Sequence, residues 1–99
     1  MFYPPQPEPP MAEVHLDSML AQFVPRRTVQ SSARTLNSLL DDLESRFPRL
    51  RHRLRDETET VRPFVKIFVN GREIRTDGAK DPRLAPEDEV DILHSIQGG

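Results

Sequence analysis

One helix-period stripe limits what this chain can fold into more than any other feature. Leu36, Leu39, Leu40, Leu43 and Phe47 fall at i, i+3, i+4, i+7 and i+11, with Thr35 placed to cap the first turn and Pro48 to stop the last. Such a stripe is apolar on one side only, so it must be covered by a sheet or by another helix. The segments around it are patterned as strands.

Val14, Leu16, Ser18 and Leu20 alternate with His15, Asp17 and Met19, which predicts a strand from Ala12 to Leu20. Arg26 to Ser31 is a weaker second strand, reached through a connection containing Pro25, and the two make a hairpin. Phe64 to Val69 is the densest β-forming run, and Asn70-Gly71 after it supplies the positive φ angles of a tight turn. Glu73 to Arg75 is a short return strand, and Asp77-Gly78 marks a further turn. Leu84 reads as a buried contact in a polar loop, and Glu89 to His94, with Val90 and Ile92 alternating, is the last strand. Leu50 and Leu54, set among Arg49, Arg51, His52, Arg53 and Arg55, fit either a short second helix or an irregular crossover. The order of two strands, one long helix and three strands predicts an α+β domain: a mixed sheet with the helix packed on one face.

At 99 residues the chain is read as one domain. Pro4, Pro5, Pro7, Pro9 and Pro10 are half of its 10 prolines, so residues 1–11 are expected to be a proline-rich disordered tail and residues 12–99 the folded domain, with a flexible end at 95–99. Met11, directly before the first patterned segment, is a candidate start. The absence of cysteine removes disulfides, thiolate metal sites and cysteine nucleophiles. A net charge of −2 gives no bulk field for nucleic acid or anionic lipid. No apolar run approaches the roughly 20 residues of a membrane span, and no secretory signal is present, so a soluble, cytoplasmic protein is expected. A domain this small has a small core with little room for an internal active site, which favours a binding or carrier role over catalysis.

The side chains agree with that. His15, His52 and His94 lie in separate segments without HxxxH or HExxH spacing, so no metal site is expected, and no nucleophile-elbow pattern is present. Arg46, Arg49, Arg51, Arg53, Arg55 and Arg62 are interleaved with or flanked by Asp41, Asp42, Glu44, Asp56, Glu57 and Glu59, with Phe47 the one Phe, Tyr or Trp between the arginines. They read as a solvated, internally paired surface rather than a nucleic-acid site. Strand parity gives a different candidate. If Val65, Ile67 and Val69 face the helix, Phe64 and Phe68 face away, and with Leu93 they form an exposed apolar patch on the open face of the sheet, as partner surfaces do. A bulge or a covering crossover would remove it.

The chain has only 4 glycines, and Gly98 and Gly99 end it. Two residues without Cβ let an extended tail enter a channel too narrow for side chains. The exposed group is the α-carboxylate of Gly99, ionised at neutral pH from a reference pKa of about 3.3–3.7, which can attack the α-phosphate of ATP if a partner positions both. The plain alternative is a frayed terminus.

The strand and helix order, the terminal Gly98-Gly99 and the run FVKIFVNGREIR from Phe64 to Arg75 together resemble the ubiquitin-like β-grasp sulfur carriers of the MoaD/ThiS type. The segments TLNSLLDDLESRFPRL and EDEVDIL fit the same order, and the resemblance covers roughly Ala12 to Gly99. It implies a mixed sheet of about five strands with one main helix. It also implies a protein cosubstrate, not an enzyme: an activating adenylyltransferase uses ATP and magnesium to adenylate Gly99, and a sulfur donor converts the adenylate to a thiocarboxylate. A downstream sulfur-acceptor synthase then takes the sulfur in cofactor, cysteine or other metabolite biosynthesis. Gly98, Gln97 and Ile96 would enter the activating enzyme's channel, and the face around Phe64, Phe68 and Leu93 would contact it. No cofactor is expected to stay bound. His94 to Gln97 replace the small apolar lead common before the diglycine, and the FVNG stretch looks closer to the cysteine-synthesis carriers and the prokaryotic small modifiers. A modifier joined through Gly99 to target lysines is the alternative.

Overall fold

In chain order the elements are β1 (Ala12–Leu16), α1 (Ser18–Ala21), β2 (Thr28–Ser31), α2 (Leu36–Arg46), a 3-10 turn (Pro48–Leu50), β3 (Val65–Val69), β4 (Arg72–Glu73) and β5 (Glu89–His94). They come from a computed structural model that describes residues 11–76 and 81–95. The proline-rich segment 1–10, the Asp77-Gly78 turn and the tail residues Ile96, Gln97, Gly98 and Gly99 lie outside the described residues.

The strands form one sheet in the order β2-β1-β5-β3-β4. β1 and β5 pair in parallel at its centre, and every other pairing is antiparallel. The last strand therefore enters between the first and third, bringing the chain out of the middle of the sheet.

Helix α2 forms where its stripe and cap agree. The Thr35 hydroxyl accepts the Ser38 N–H at 3.2 Å, and the Ser38 hydroxyl accepts the Thr35 N–H at 3.2 Å, a reciprocal capping box. Leu36, Leu39, Leu40 and Leu43 are buried against Val14, Leu16, Val65, Ile67, Val90 and Ile92 of the sheet's inner face. Phe47 caps the C-terminal end, and Pro48 opens the 3-10 turn rather than simply ending the helix. Leu50 and Leu54 are fully buried although Arg51 to Leu54 form no helix, so the irregular crossover is the alternative that holds.

The first strand is shorter than its alternation predicts. It stops at Leu16 because the Asp17 carboxylate accepts the Leu20 N–H at 3.0 Å and caps α1. Leu20 is buried by the turn of that helix, not by strand parity. The second strand starts at Thr28, later than Arg26, and the return strand β4 is only Arg72–Glu73. The Asn70-Gly71 turn stands as predicted, with φ of 52° and 84°. Asn70 also ties this hairpin to β5, its Oδ1 accepting the Glu89 N–H at 2.9 Å.

Candidate functional site: the root of the tail and the open sheet face

Two hydrogen bonds fix the chain just before its last residues. The His94 N–H donates to Asp17 Oδ2 at 2.6 Å on the β1 side, and the Ser95 N–H donates to the Phe64 carbonyl at 2.7 Å on the β3 side. The Asp17 N–H in turn donates to the Ile92 carbonyl at 3.2 Å. Asp17 therefore caps α1 with one carboxylate oxygen and holds the end of β5 with the other. Sequence reading missed it, having placed it on the outer face of a strand. The available signal was an Asp directly before a short segment ending in an apolar residue, an N-cap signature.

The face of the sheet away from α2 is open. Register places Thr28, His15, Asp91, Phe68 and Glu73 in one row across all five strands, and pairs Lys66 with Leu93 beside it. Leu93 is 39% exposed and Phe68 is half-buried. Glu13, Glu73, Glu89 and Asp91 surround them, opposed by Lys66, and His15 Nε2 lies 3.2 Å from Glu13. The open face is thus a small apolar centre in an acidic field.

Phe64 does not join that centre. It precedes β3, packs against the core cluster, and its ring centroid lies 4.9 Å from that of His94. His94 pairs with Val65, which puts it on the α2 side of the sheet. The reason is local: the Val65 N–H donates to the Arg62 carbonyl at 3.0 Å, a turn that ends the alternation one residue short of Phe64. The expected three-residue patch is therefore Phe68 and Leu93, with Phe64 buttressing the tail root instead.

The arginine cluster divides. Arg55 is buried and bonds Glu44 at 2.7 Å and Asp41 at 2.6 Å, contacts that raise its pKa further, Glu44 contributing most. Arg46 pairs with Asp42 at 3.0 Å and donates to the Gln30 carbonyl at 2.7 Å, covering the outer edge of β2. These two are internally paired, as the sequence suggests. Arg49 and Arg53 form no ion pair among the described residues. No group of three His, Cys, Asp or Glu side chains among the described residues could hold a metal ion, and no described helix is long and apolar enough to cross a membrane.

Comparison with known proteins fits this geometry. The ThiS family pattern matches residues 19–99. The sulfur carrier protein CysO of Mycobacterium tuberculosis is 32% identical over 76 residues, covering 75% of this chain and 82% of that protein. A chain in the crystal structure of the Amycolatopsis orientalis BexX/CysO complex is 26% identical with a TM-score of 0.76, covering 89% of this chain and 99% of its own. The H. volcanii small archaeal modifier protein 1, at 21% identity and TM-score 0.76 over 88% of this chain and 99% of that one, shares the fold. The five-stranded mixed sheet with one main helix is the ubiquitin-like β-grasp.

Proposed function

Because this chain belongs to the ThiS family, we propose that it is a sulfur carrier whose reactive group is the C-terminal carboxylate of Gly99. An oxygen of that carboxylate attacks the α-phosphorus of ATP, held with magnesium by an activating enzyme, and pyrophosphate leaves. Hydrosulfide then adds to the acyl carbon and AMP leaves with the original oxygen; where the donor is a persulfide, the first product is an acyl disulfide, and a donor thiol cleaves its S–S bond, releasing the thiocarboxylate and forming a disulfide on the donor. The thiocarboxylate sulfur is a soft nucleophile that displaces a leaving group from an activated substrate on a downstream acceptor enzyme, and water then hydrolyses the resulting thioester, leaving the sulfur on the substrate and Gly99 as carboxylate. The chain is a cosubstrate in this cycle, which is proposed to run in the cytoplasm, a compartment that supplies ATP.

The observation that supports the reading is a diglycine three residues beyond a strand whose end is fixed on both sides, by Asp17 and by Phe64. A fixed root lets the partner read the folded domain and find Gly99 at a constant reach. Ile96, Gln97 and Gly98 thread the activating enzyme's channel, and Phe68 and Leu93 dock on its surface.

Intact mass spectrometry of protein incubated with its activating enzyme, ATP and sulfide tests this. The expected product is heavier by the exchange of one oxygen for one sulfur, maps to Gly99 and reacts with a thiol-directed alkylating reagent. An unchanged carboxylate would overturn the reading. Conjugation to target lysines runs through the same adenylate, and high-mass bands that survive reductant and need Gly99 would replace sulfur transfer with modification.

A further inference from the structure

Phe23 carries an arrangement that the C-terminal chemistry does not use. It lies in the connection after α1, half-buried against the core. Two guanidinium groups cover its ring: Arg53 Cζ is 4.3 Å and Arg49 Cζ 5.5 Å from the centroid. Both arginines are exposed, and no carboxylate pairs with either among the described residues. Arg26 and Arg27, which follow Phe23 in the same connection, are likewise exposed and without an ion pair among the described residues.

Gathering like charges on one ring costs repulsion that the π face offsets only in part. Carboxylates do neutralise Arg46 and Arg55, so this chain pairs arginines where the fold needs them paired. Stacking on a ring restricts each guanidinium and leaves N–H donors for a planar acceptor, which suits bidentate binding of carboxylates. The same stack hides the ring from nucleobases, which would have to displace an arginine to reach it. We infer that Arg49 and Arg53 on Phe23 form a docking surface for an acidic peptide segment of a protein partner. Its sign is opposite to that of the open sheet face, so the two surfaces select different partners.

Fluorescence anisotropy of a fluorescein-labelled polyglutamate peptide titrated with the full chain tests the inference. Saturable binding that weakens with added salt is expected. Arg49→Gln with Arg53→Gln should weaken it about tenfold, as losing two charge-assisted contacts does. Arg34→Gln with Arg83→Gln, which removes the same charge near the N-terminal end of α2, should leave it unchanged. Phe23→Leu keeps apolar packing and every charge, and should still weaken binding because the π face is gone. Deleting Gly98 and Gly99 should have no effect, which separates this surface from the carrier chemistry. The inference fails if the unaltered chain does not bind, if both double variants lose equally, or if Phe23→Leu binds as before. It fails also if single-stranded RNA of equal charge binds as tightly through the same arginines.

Discussion

Single residues decide where elements begin and end in this chain, and two aspartates show how. Asp17 replaces the second half of a predicted strand with a capped turn, because its carboxylate satisfies the Leu20 N–H. The alternation from Val14 to Leu20 was legible, but Leu16 and Leu20 also stand four apart, and only the cap chooses between the two periods. Asp17→Ala should cost about 1 kcal/mol in urea denaturation through the lost cap. It should also speed amide exchange at His94, whose N–H loses its acceptor, while exchange at buried Ile67 changes only by the global amount. Asp56 acts on a turn of its own. The Thr58 hydroxyl at 2.7 Å contributes most to holding its carboxyl below the ordinary range, followed by the Thr60 N–H at 3.1 Å and the Thr58 N–H at 2.8 Å. A carboxyl depressed in the folded state stabilises it above the unfolded pKa of about 3.9, and that contribution fades as pH falls through the lower folded value. Protection factors of the Thr58 and Thr60 amides, with the pH dependence of intrinsic exchange divided out, should therefore fall over that acidic interval, and Asp56→Asn should flatten the response.

At the scale of elements, legibility followed how local the determinants are. α2 was readable because its stripe, its cap and its stop lie within one short segment, and the β3 to β4 turn because Asn-Gly supplies its own backbone angles. The crossover after α2 was not, since its path depends on His52 and Glu59 at φ of 65° and on a buried ion pair that spans segments. Arg55, with a side chain 5% exposed, reaches back to Glu44 and Asp41 on α2 and pins the loop that carries Leu54 into the core. Removing one partner of such a group leaves Glu44, 14% exposed, without its counterion. Arg55→Ala is accordingly expected to destabilise the domain by about 3 kcal/mol in chemical denaturation. Exposed Arg51→Ala, one turn away in the same loop, should stay within about 0.5 kcal/mol. Equal costs would mean that the loop is held by Leu50 and Leu54 alone.

Across the whole molecule, sheet order does what no local segment can. Placing β5 between β1 and β3 brings the tail root to the centre of the sheet and sets Phe68 and Leu93 diagonally across adjacent strands on one face, although they are far apart in sequence. Parity found that pair but overreached at Phe64, because parity holds only while a strand continues and the Arg62 to Val65 turn ends it. Phe23 lay wholly outside sequence reach: nothing in the chain's order brings it to Arg49 and Arg53. Recognition and reaction should then be separable by substitution. Phe68→Ala should weaken the complex with the activating enzyme about tenfold, the loss of one apolar anchor at an interface. Arg53→Ala, on the other surface, should leave that affinity unchanged. Gly98→Val should also leave the docking face and thermal stability intact, yet abolish ATP-pyrophosphate exchange, because a branched Cβ blocks a channel shaped for glycine. Binding and exchange measured on the three variants distinguish the alternatives: if Phe68→Ala and Arg53→Ala weaken the complex equally, the open face is not the docking surface, and if Gly98→Val still supports exchange, the tail does not thread a closed channel.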